Sequence, residues 1–532
     1  MTETPASGET SEVLFGQSYF LRFDPKLWDA MQPYPPLGTL FAASAVRAQG
    51  WDVALFDAML AHGEEEWEAA LDKHRPTYAV LFEDNFNYLS KMCLLRMREA
   101  AFTMLGAAQA RGCVAIVCGS DATDHAAAYL DAGADYVIRG EGDATLMELL
   151  GRLRAAGVPG DGQDGPARVD DVAGLTFRRE GELVRSADRP VIRDLDALPM
   201  PAWDLVDFDR YRAVWLERHG YFSVNMVTTR GCPFHCNWCA KPIWGQTYHM
   251  RSPGHVVEEL RWLVDHARPD HIWFADDILG LKKGWLGKFA DALEKEGLDI
   301  PFKCLSRVDL LLRDGEIESL ARAGCRIVWV GAESGSQKVL DAMEKGSTVE
   351  QIREASRRLH EAGIEVGFFL QFGYPGETRE EIESTLELVR DCEPDEIGMS
   401  VSYPLPGTPF YERVRDQLGS KQNWQDSADL DMLYQGPFET EFYRQLVKVT
   451  QKMFRARKGW RGFVAALRRP ASLRPGHLRS LGSAGYHRLT LPAARRRLDR
   501  LAHRPDGAVP ALDPVLSQQE AARPSPQEEA GA

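Results

Sequence analysis

The stretch TTRGCPFHCNWCAKPIWG, residues 228–245, decides how this chain is interpreted. It holds the spacing Cys232-x3-Cys236-x2-Cys239 directly after an apolar run that predicts a buried strand. Three thiolates on one short loop can bind three irons of a 4Fe-4S cubane and leave the fourth iron open, whereas electron-transfer clusters normally have four protein ligands. The spacing therefore predicts a catalytic cluster. A structural zinc site is the alternative, and it would need His235 or His249 as a fourth ligand.

Around this motif, apolar runs alternate with amphipathic helical stretches. The runs are SVNMVTTR (223–230), HIWFADD (271–277), PFKCLSR (301–307), RIVWVGAES (326–334), EVGFFLQFGYP (365–375) and EIGMSVSYPLPG (396–407). Six strand-helix units predict a partial (β/α)6 barrel over residues 209–432. Catalytic groups are expected at the carboxyl ends of its strands.

Five similar runs come earlier in the chain. They are VLFGQSY (13–19), DVALFDA (52–58), YAVLFED (78–84), VAIVCGS (114–120) and YVIRGEG (136–142). They predict an α/β, doubly wound, Rossmann- or flavodoxin-like domain over residues 11–155, with its ligand outside the carboxyl ends of the strands. Polar residues gather at those ends, among them Asp57, Ser120 and Asp121. Residues 156–208 are interpreted as a connector with one short hairpin.

Together these segments resemble the radical SAM enzymes that carry an N-terminal cobalamin-binding domain, and the resemblance covers about residues 12–430. Besides the cysteine loop, its carriers are YPPLG (34–38), WDVALFDA (51–58), VCGSDATDHAAAYLDAGADYVIRGEGD (117–143), LDALPMPAWDL (195–205), ADDILG (275–280), GAESGS (331–336) and FGYPGET (372–378). Arg230-Gly231 before the first cysteine is typical of the same family.

The resemblance implies three cofactors: the 4Fe-4S cluster, S-adenosylmethionine (SAM) and cobalamin. The cluster would bind SAM through its open iron and cleave it reductively to a 5′-deoxyadenosyl radical. The residues that the resemblance assigns to SAM are Trp238, Asp276, Asp277, Glu333, Ser334, Gly373 and Pro375, and those expected near cobalamin are Asp57, Ser120 and Asp121.

One feature departs from the family pattern. The Asp-x-His-x-x-Gly motif that supplies a cobalt ligand in many cobalamin domains is absent, and His125 has the wrong spacing. A scaffold domain that no longer binds cobalamin is therefore the alternative.

The function that this family implies is methylation of an unactivated carbon of a small-molecule or lipid substrate. Oxidative ring closure of the magnesium-protoporphyrin ester cyclase type is the alternative reaction, and a corrinoid or Fe–S sensor is the non-enzyme alternative. An electron-donor protein, flavodoxin or ferredoxin, is expected as a partner. The sequence does not name the substrate, because substrate contacts in barrels lie on variable loops.

Charge separates the C-terminal part from the rest. The 532-residue chain has a net charge of −15, which argues against nucleic-acid binding, yet residues 442–504 carry 17 Lys and Arg and one acid, Asp499. We expect a basic helical region over residues 433–505 and a disordered tail over residues 506–532. The basic region could rest on an anionic membrane, dock on the acidic body of the chain or form a solvated face.

The remaining features concern location and cysteines. The sequence has no signal-peptide pattern and no apolar run of about 18 residues, which favours a cytoplasmic location. Its nine cysteines are odd in number, so a disulfide framework is not expected.

Overall fold

The computed structural model describes residues 10–86, 95–156, 169–241, 243–418, 430–468 and 475–502. It has the α/β fold class predicted from the sequence, with two parallel sheets and a helical C-terminal region. The predicted tail over residues 506–532 lies outside the described residues, as does Cys93. No described helix is long and apolar enough to cross a membrane.

The N-terminal sheet has seven strands in the order β2-β1-β3-β4-β5-β6-β7. The strands are β1 (Val13–Gly16), β2 (Val53–Leu55), β3 (Tyr78–Phe82), β4 (Val114–Cys118), β5 (Tyr136–Ile138), β6 (Leu175–Arg179) and β7 (Glu182–Arg185). Strands β1 to β5 are parallel, and their order 2-1-3-4-5 is flavodoxin-like, with its topological switch point between β1 and β3.

The short hairpin expected in the connector is present as β6 and β7. It pairs antiparallel with β5 and so extends the N-terminal sheet. The buried guanidinium of Arg139 contributes to this join by donating to the Thr176 hydroxyl at 2.8 Å and to the Asp188 carboxylate at 2.9 Å.

The second sheet holds all six predicted barrel strands. They are β8 (Ser223–Met226), β11 (His271–Phe274), β12 (Phe302–Ser306), β13 (Cys325–Glu333), β14 (Glu365–Phe372) and β15 (Glu396–Val401). Every neighbouring pair is parallel, and the spatial order equals the chain order, which gives a half barrel with two free edges. A separate two-stranded ladder, β9 (Thr229–Arg230) with β10 (His249–Met250), lies at the base of the cysteine loop.

Helices cover both sheets. They are α1 (Pro25–Ala30), α2 (Leu37–Arg47), α3 (Glu64–His74), α4 (Leu95–Ala110), α5 (Ser120–Asp124), α6 (Ala126–Asp131), α7 (Asp143–Ala156), α8 (Phe208–His219), α9 (Pro253–His266), α10 (Trp285–Glu296), α11 (Val308–Leu311), α12 (Glu316–Arg322), α13 (Gln337–Ala342), α14 (Val349–Glu361), α15 (Arg379–Cys392), α16 (Pro409–Val414), α17 (Thr440–Arg468) and α18 (Pro475–Ala502). Capping boxes begin α14 at Thr348 and α15 at Thr378, because each threonine is followed three residues later by Gln or Glu.

The basic C-terminal region forms a hairpin of α17 and α18, and α17 contacts the barrel helix α15. Basic side chains of α17 donate to the carbonyls that follow α15: Lys458 to Asp395 at 2.6 Å and Arg461 to Glu393 at 2.9 Å. Cations at a helix C-terminus interact favourably with the helix dipole. These residues thus dock on their own chain, which was one of the three alternatives considered for this region.

Candidate active site

The three motif cysteines lie on one loop at the carboxyl end of β8 and are partly exposed, whereas the other described cysteines are buried. Burial raises the pKa of Cys239 to about 12, with the neighbouring Cys236 and Cys232 adding to the effect and Lys241 opposing it. The three thiols are thus close enough to act on one another, and because the pKa values of Cys232 and Cys239 are raised, a bound metal would be needed to keep these two ionised.

The donor set fits a cluster better than a single ion. Among the described residues, no three His, Cys, Asp or Glu side chains converge tightly enough for one metal ion. Three sulfurs that bind three different irons stand farther apart than the ligands of one zinc. His235 is exposed and His249 is held in the β9–β10 ladder, so the zinc alternative gains no support.

Asp276 holds the start of the cysteine loop. Its buried carboxylate accepts hydrogen bonds from the backbone N–H groups of Thr228 and Thr229, both at 2.7 Å, and from their hydroxyls, both at 2.9 Å. Burial raises the pKa of Asp276 to about 6, although the four hydrogen bonds act to lower it. Asp276 was predicted to bind SAM, and that role stays a prediction, since the carboxylate already has four donors in the loop. Asp277 is exposed and lies close enough to Cys232 to influence its pKa.

Asn237, inside the motif, ties the loop to the far side of the half barrel. Its Nδ2 donates to the Ala342 carbonyl at 2.8 Å, its Oδ1 accepts from the Tyr374 hydroxyl at 2.9 Å, and its backbone N–H bonds the Met343 carbonyl at 3.1 Å. No sequence pattern predicted this role of Asn237, and the available signal was only its position between two predicted ligands, Cys236 and Cys239.

Glu333 and Ser334 end β13 close to this loop. Glu333 has a φ of +54° and forms a buried ion pair with Lys345 at 2.8 Å. A non-glycine residue in this region is strained and often marks a functional site. Lys345 is close enough to Cys236 for the two to interact electrostatically, and no motif identified it from the sequence. The Ser334 hydroxyl is buried and lies 3.1 Å from the Thr385 hydroxyl.

The turn after β14 contains Gly373 and Pro375. Gly373 has a φ of +81°, and its N–H donates to the buried carboxyl of Glu377 at 2.6 Å. Burial raises the pKa of Glu377 to about 8, so this group is largely protonated at neutral pH. The Tyr434 hydroxyl bonds the Gly373 carbonyl from outside the barrel. Pro375 and Trp238 are partly exposed, and the Trp238 Nε1 has no partner among the described residues.

The residues predicted near cobalamin are not brought together. Asp57 follows β2, whereas Ser120 and Asp121 follow β4. The strand order puts β1 and β3 between them, so the ends of β2 and β4 are three strand spacings, or about 14 Å, apart. Asp57 accepts from the Tyr211 hydroxyl at 2.7 Å, and Asp121 forms an ion pair with Arg98.

The other predicted or considered residues of this domain also have local roles. Asp121 in addition accepts from the Tyr129 hydroxyl at 2.7 Å, and Ser120 is buried. His125 precedes α6, 3.7 Å from Asp121. Cofactor binding by Asp57, Ser120 and Asp121 stays a prediction.

A buried ionic group joins the two domains beside the cysteine loop. The Arg230 guanidinium donates to Glu141 at 2.6 Å and to Asp143 at 2.9 Å, and all three side chains are at most 7% exposed. Arg230 directly precedes Gly231 and Cys232, while both acids follow β5 of the N-terminal sheet. The cluster loop is therefore held against the N-terminal domain by charge.

A cavity that opens to solvent lies between the switch point of the N-terminal sheet and the interior of the half barrel. Its lining residues are Tyr19, Leu21, Leu27, Ala30, Gln32, Tyr34, Met59, Asp84, Phe86, Asn225, Trp273, Ala275 and Lys303. Doubly wound sheets bind their ligands at this switch point, outside the carboxyl ends of the strands. No histidine is among the described residues that line it, in keeping with the missing cobalt-ligand motif.

Unsatisfied polar atoms occur on Asn225, which lines this cavity, and on two residues close in sequence to its lining segments. Among the described residues, Gln17 Nε2, Asn85 Oδ1 and Asn225 Oδ1 are buried without a hydrogen-bond partner. Gln17 and Asn85 follow β1 and β3 at the switch point, and Asn225 lies on β8 opposite them. Buried polar atoms normally have partners, so these indicate a polar ligand. A corrinoid, whose ring is rimmed with amides, fits this donor and acceptor set.

Comparison with known proteins agrees with this geometry. Residues 226–389 match the radical SAM superfamily profile. An uncharacterised methyltransferase of Pyrococcus horikoshii is 30% identical over 300 residues, and an anaerobic magnesium-protoporphyrin IX monomethyl ester cyclase of Cereibacter sphaeroides is 30% identical over 288 residues. The hopanoid C-3 methylase of Methylococcus capsulatus is 26% identical over 83% of this chain and 80% of its own.

The match to the Pyrococcus relative spans 56% of this chain and 62% of the relative. The match to the cyclase spans 53% of this chain and 45% of the cyclase. Two solved structures share the fold. TsrM of Kitasatospora setae, with cobalamin and a [4Fe-4S] cluster bound, matches 78% of this chain and 76% of its own with a TM-score of 0.62 and 17% identity. OxsB with aqua-cobalamin and SAM bound matches 92% of this chain and 72% of its own, with a TM-score of 0.66 and 16% identity.

Proposed function

We propose that this protein is a cobalamin-dependent radical SAM enzyme that methylates an unactivated carbon of a small-molecule or lipid substrate. The observation that carries the proposal is the cavity between the switch point of the N-terminal sheet and the barrel interior. Its lining residue Ala275 directly precedes Asp276, which holds the start of the three-cysteine loop. When bound, the cluster with SAM supplies radical hydrogen abstraction, and cobalamin supplies a methyl group.

The chain's own residues would bind and orient these groups. Cys232, Cys236 and Cys239 would hold the cluster, while Asp276 and Asn237 fix the loop that carries them. The strained Glu333 and its partner Lys345 end β13 near the same loop, where SAM would bind. Trp238, Asp277, Ser334, Gly373 and Pro375 complete the proposed SAM site.

The cavity would hold substrate next to the corrinoid. Its walls are mostly apolar, with Trp273, Phe86 and Met59 among them, and such walls exclude water from reactive species. The unsatisfied amides of Gln17, Asn85 and Asn225 would bind polar groups of the corrinoid or the substrate.

The proposal includes an electron donor, because reductive cleavage of SAM consumes one electron. Flavodoxin or ferredoxin is the expected class. It also includes peripheral membrane contact through the basic hairpin. There, Leu489 is 83% exposed and Tyr486 60% exposed on α18, among arginines that could meet anionic lipid.

An anaerobic assay tests the proposal. The protein is reconstituted with iron, sulfide and hydroxocobalamin, then mixed with reductant and SAM, and 5′-deoxyadenosine and S-adenosylhomocysteine are quantified by mass spectrometry. A methyltransferase forms both, since one SAM donates the methyl group and a second is cleaved to 5′-deoxyadenosine and methionine. Cofactor binding without 5′-deoxyadenosine, even with cell extract as a substrate source, would favour the sensor alternative.

Oxidative ring closure is the second candidate reaction, favoured by the 30% identity to the magnesium-protoporphyrin ester cyclase. In that case 5′-deoxyadenosine forms without cobalamin-dependent S-adenosylhomocysteine. The same assay therefore separates the two reactions.

A further inference from the structure

The side chain of Lys303 places an ammonium group in the cavity, on the side formed by the half barrel. It is the second residue of β12, and its side chain lines the cavity between two aromatic rings. Its Nζ lies 4.9 Å from the centroid of the Trp273 ring and 5.5 Å from that of the Tyr34 ring. The aromatic faces stabilise an ammonium group but do not neutralise its charge.

This ammonium forms no ion pair within the part of the chain that the structure describes. Burial lowers the pKa of Lys303, and the acids that oppose this shift, Tyr221 and Glu396, act only as distant charges. Asp84 is the one carboxylate among the described residues that line the cavity. On the opposite wall it accepts from the backbone N–H groups of Gly38 at 2.9 Å and Phe86 at 3.2 Å. A half-buried cation without a counter-ion is partly desolvated, so an anionic partner from outside the chain would stabilise it.

The polar groups near Lys303 also suit an anion. The Tyr34 hydroxyl lies 3.2 Å from the Ser223 hydroxyl, which lies 2.9 Å from Nδ1 of His271. Burial and the charge of Lys303 lower the pKa of His271 to about 4, so this imidazole is neutral and adds no second positive charge. Lys303 is thus the cation at this end of the cavity that an anion would meet.

We propose that Lys303 binds a single anionic group, such as a carboxylate or phosphate, on a ligand whose apolar body lies against Trp273, Leu21 and Met59. This inference rests on the proposed function in taking that ligand to be the substrate, an anionic amphiphile. The nucleotide phosphate of cobalamin has the same chemistry and is the second possible source.

Two dyes of matched shape test charge recognition without turnover. 8-Anilinonaphthalene-1-sulfonate carries one anionic group, and N-phenyl-1-naphthylamine has the same ring system without it. We expect Lys303→Met to weaken binding of the sulfonate about ten- to a hundred-fold and to leave binding of the neutral dye unchanged. Lys303→Arg, which keeps the charge, should retain most of the sulfonate affinity. Equal effects on both dyes, or no effect on either, would overturn the proposal.

The basic hairpin could bind the sulfonate elsewhere, and Lys448→Met on the exposed face of α17 is the matched control. It should leave the Lys303-dependent binding intact. Loss of an unpaired, half-buried charge should not unfold the protein, and thermal denaturation of Lys303→Met checks this. If Lys303→Met does not fold, Lys303→Gln replaces it in the same dye comparison.

Hydroxocobalamin separates the two sources of the anion. If the ligand is the substrate, Lys303→Met binds hydroxocobalamin with wild-type affinity, and the sulfonate binds to the cobalamin-loaded protein. If hydroxocobalamin displaces the sulfonate and loses affinity in Lys303→Met, the substrate assignment is wrong. Failure of the proposed function appears differently, as wild-type protein that binds no hydroxocobalamin and forms no 5′-deoxyadenosine, while dye selectivity persists.

Discussion

The carboxyl end of the half barrel and that of the N-terminal sheet occupy equivalent places in two parallel sheets, yet they are built differently. At the barrel end, Cys232, Cys236 and Cys239 lie within eight residues, and Asp276 and Asn237 brace them. At the N-terminal end, Asp57 and Asp121 are about three strands apart and already paired with Tyr211 and Arg98.

The difference shows which kind of site a sequence can reveal. A cluster needs ligands with specific chemistry on one loop, so its site is a short motif. A large organic cofactor can be held by many weak contacts from separate loops. The groups left unsatisfied at the N-terminal edge, on Gln17 and Asn85, belong to no motif and are recognised only once the strands are in place.

The largest expected effect comes from removing a cluster ligand at the carboxyl end of the half barrel. Cys236→Ala should abolish the cluster absorbance and lower 5′-deoxyadenosine formation at least about a hundred-fold, since a ligand to iron is lost. Cys392→Ala is the matched control, because Cys392 is buried at the end of α15, outside the cysteine motif, and should leave the cluster spectrum intact. A normal cluster in Cys236→Ala would remove the basis of the site assignment.

The next effect tests whether the two regions are coupled. Arg230→Met leaves Glu141 and Asp143 as buried, unpaired carboxylates, and we expect a loss of about 3–5 kcal/mol in unfolding free energy. Adding Glu141→Gln and Asp143→Asn should restore much of the stability, which denaturant unfolding of the apoprotein would measure. If the triple variant is no more stable than Arg230→Met, the charges do not join the domains.

A smaller effect separates the two neighbouring aspartates of the barrel end. Asp276→Asn replaces an acceptor of four hydrogen bonds by an amide, so it should cost about 2–3 kcal/mol and reduce cluster loading. The exposed Asp277→Asn should load the cluster normally and weaken SAM binding instead. Isothermal titration with SAM and iron analysis of both variants check this, and the reverse pattern would contradict the assigned roles.

The smallest expected effect concerns Glu83 at the N-terminal end. Burial raises its pKa to about 7, although the Ser18 hydroxyl and N–H donate to it. Between about pH 4.5 and pH 7 the folded state keeps this proton while the unfolded state loses it. The free energy of unfolding therefore falls as pH rises through this range.

Glu83→Gln removes that penalty. We expect the apoprotein melting temperature of Glu83→Gln to equal or fall below that of the wild type at pH 4.5 and to exceed it at pH 8. The gain should be about 1–2 kcal/mol, since the amide accepts less strongly from Ser18 than a carboxylate does. A constant difference across this range would mean that Glu83 titrates normally when folded.

Much of the fold was predictable from the sequence. All five parallel N-terminal strands and all six barrel strands coincide with the apolar runs that predicted them, and only β13 begins one residue earlier, at Cys325. Buried parallel strands give such near-continuous apolar segments. The β9–β10 ladder was not predicted, since two-residue strands leave no pattern. The limits assigned to the domains stay predictions.

The candidate site was predictable only in part. The cysteine loop and the segments around Glu333 and Gly373 are local in sequence, but Lys345 and Lys303 carry no local signal. The pairing of Arg230 with Glu141 and Asp143 joins segments about 90 residues apart, so it could not be predicted either. Asp57, Ser120 and Asp121 were grouped because each follows a strand, but the order 2-1-3-4-5 separates them.

The sequence by itself determined the cysteine spacing, the two runs of parallel strands and the charge of the C-terminal region, because spacing and periodicity are properties of neighbouring residues. The tertiary structure decided which polar groups find partners. It paired Asp57, Asp121 and Asp276 within the chain and left Lys303 and Asn225 facing the cavity between the domains. Partners distant in sequence meet only when the sheets pack together, so that distinction cannot be read along the chain.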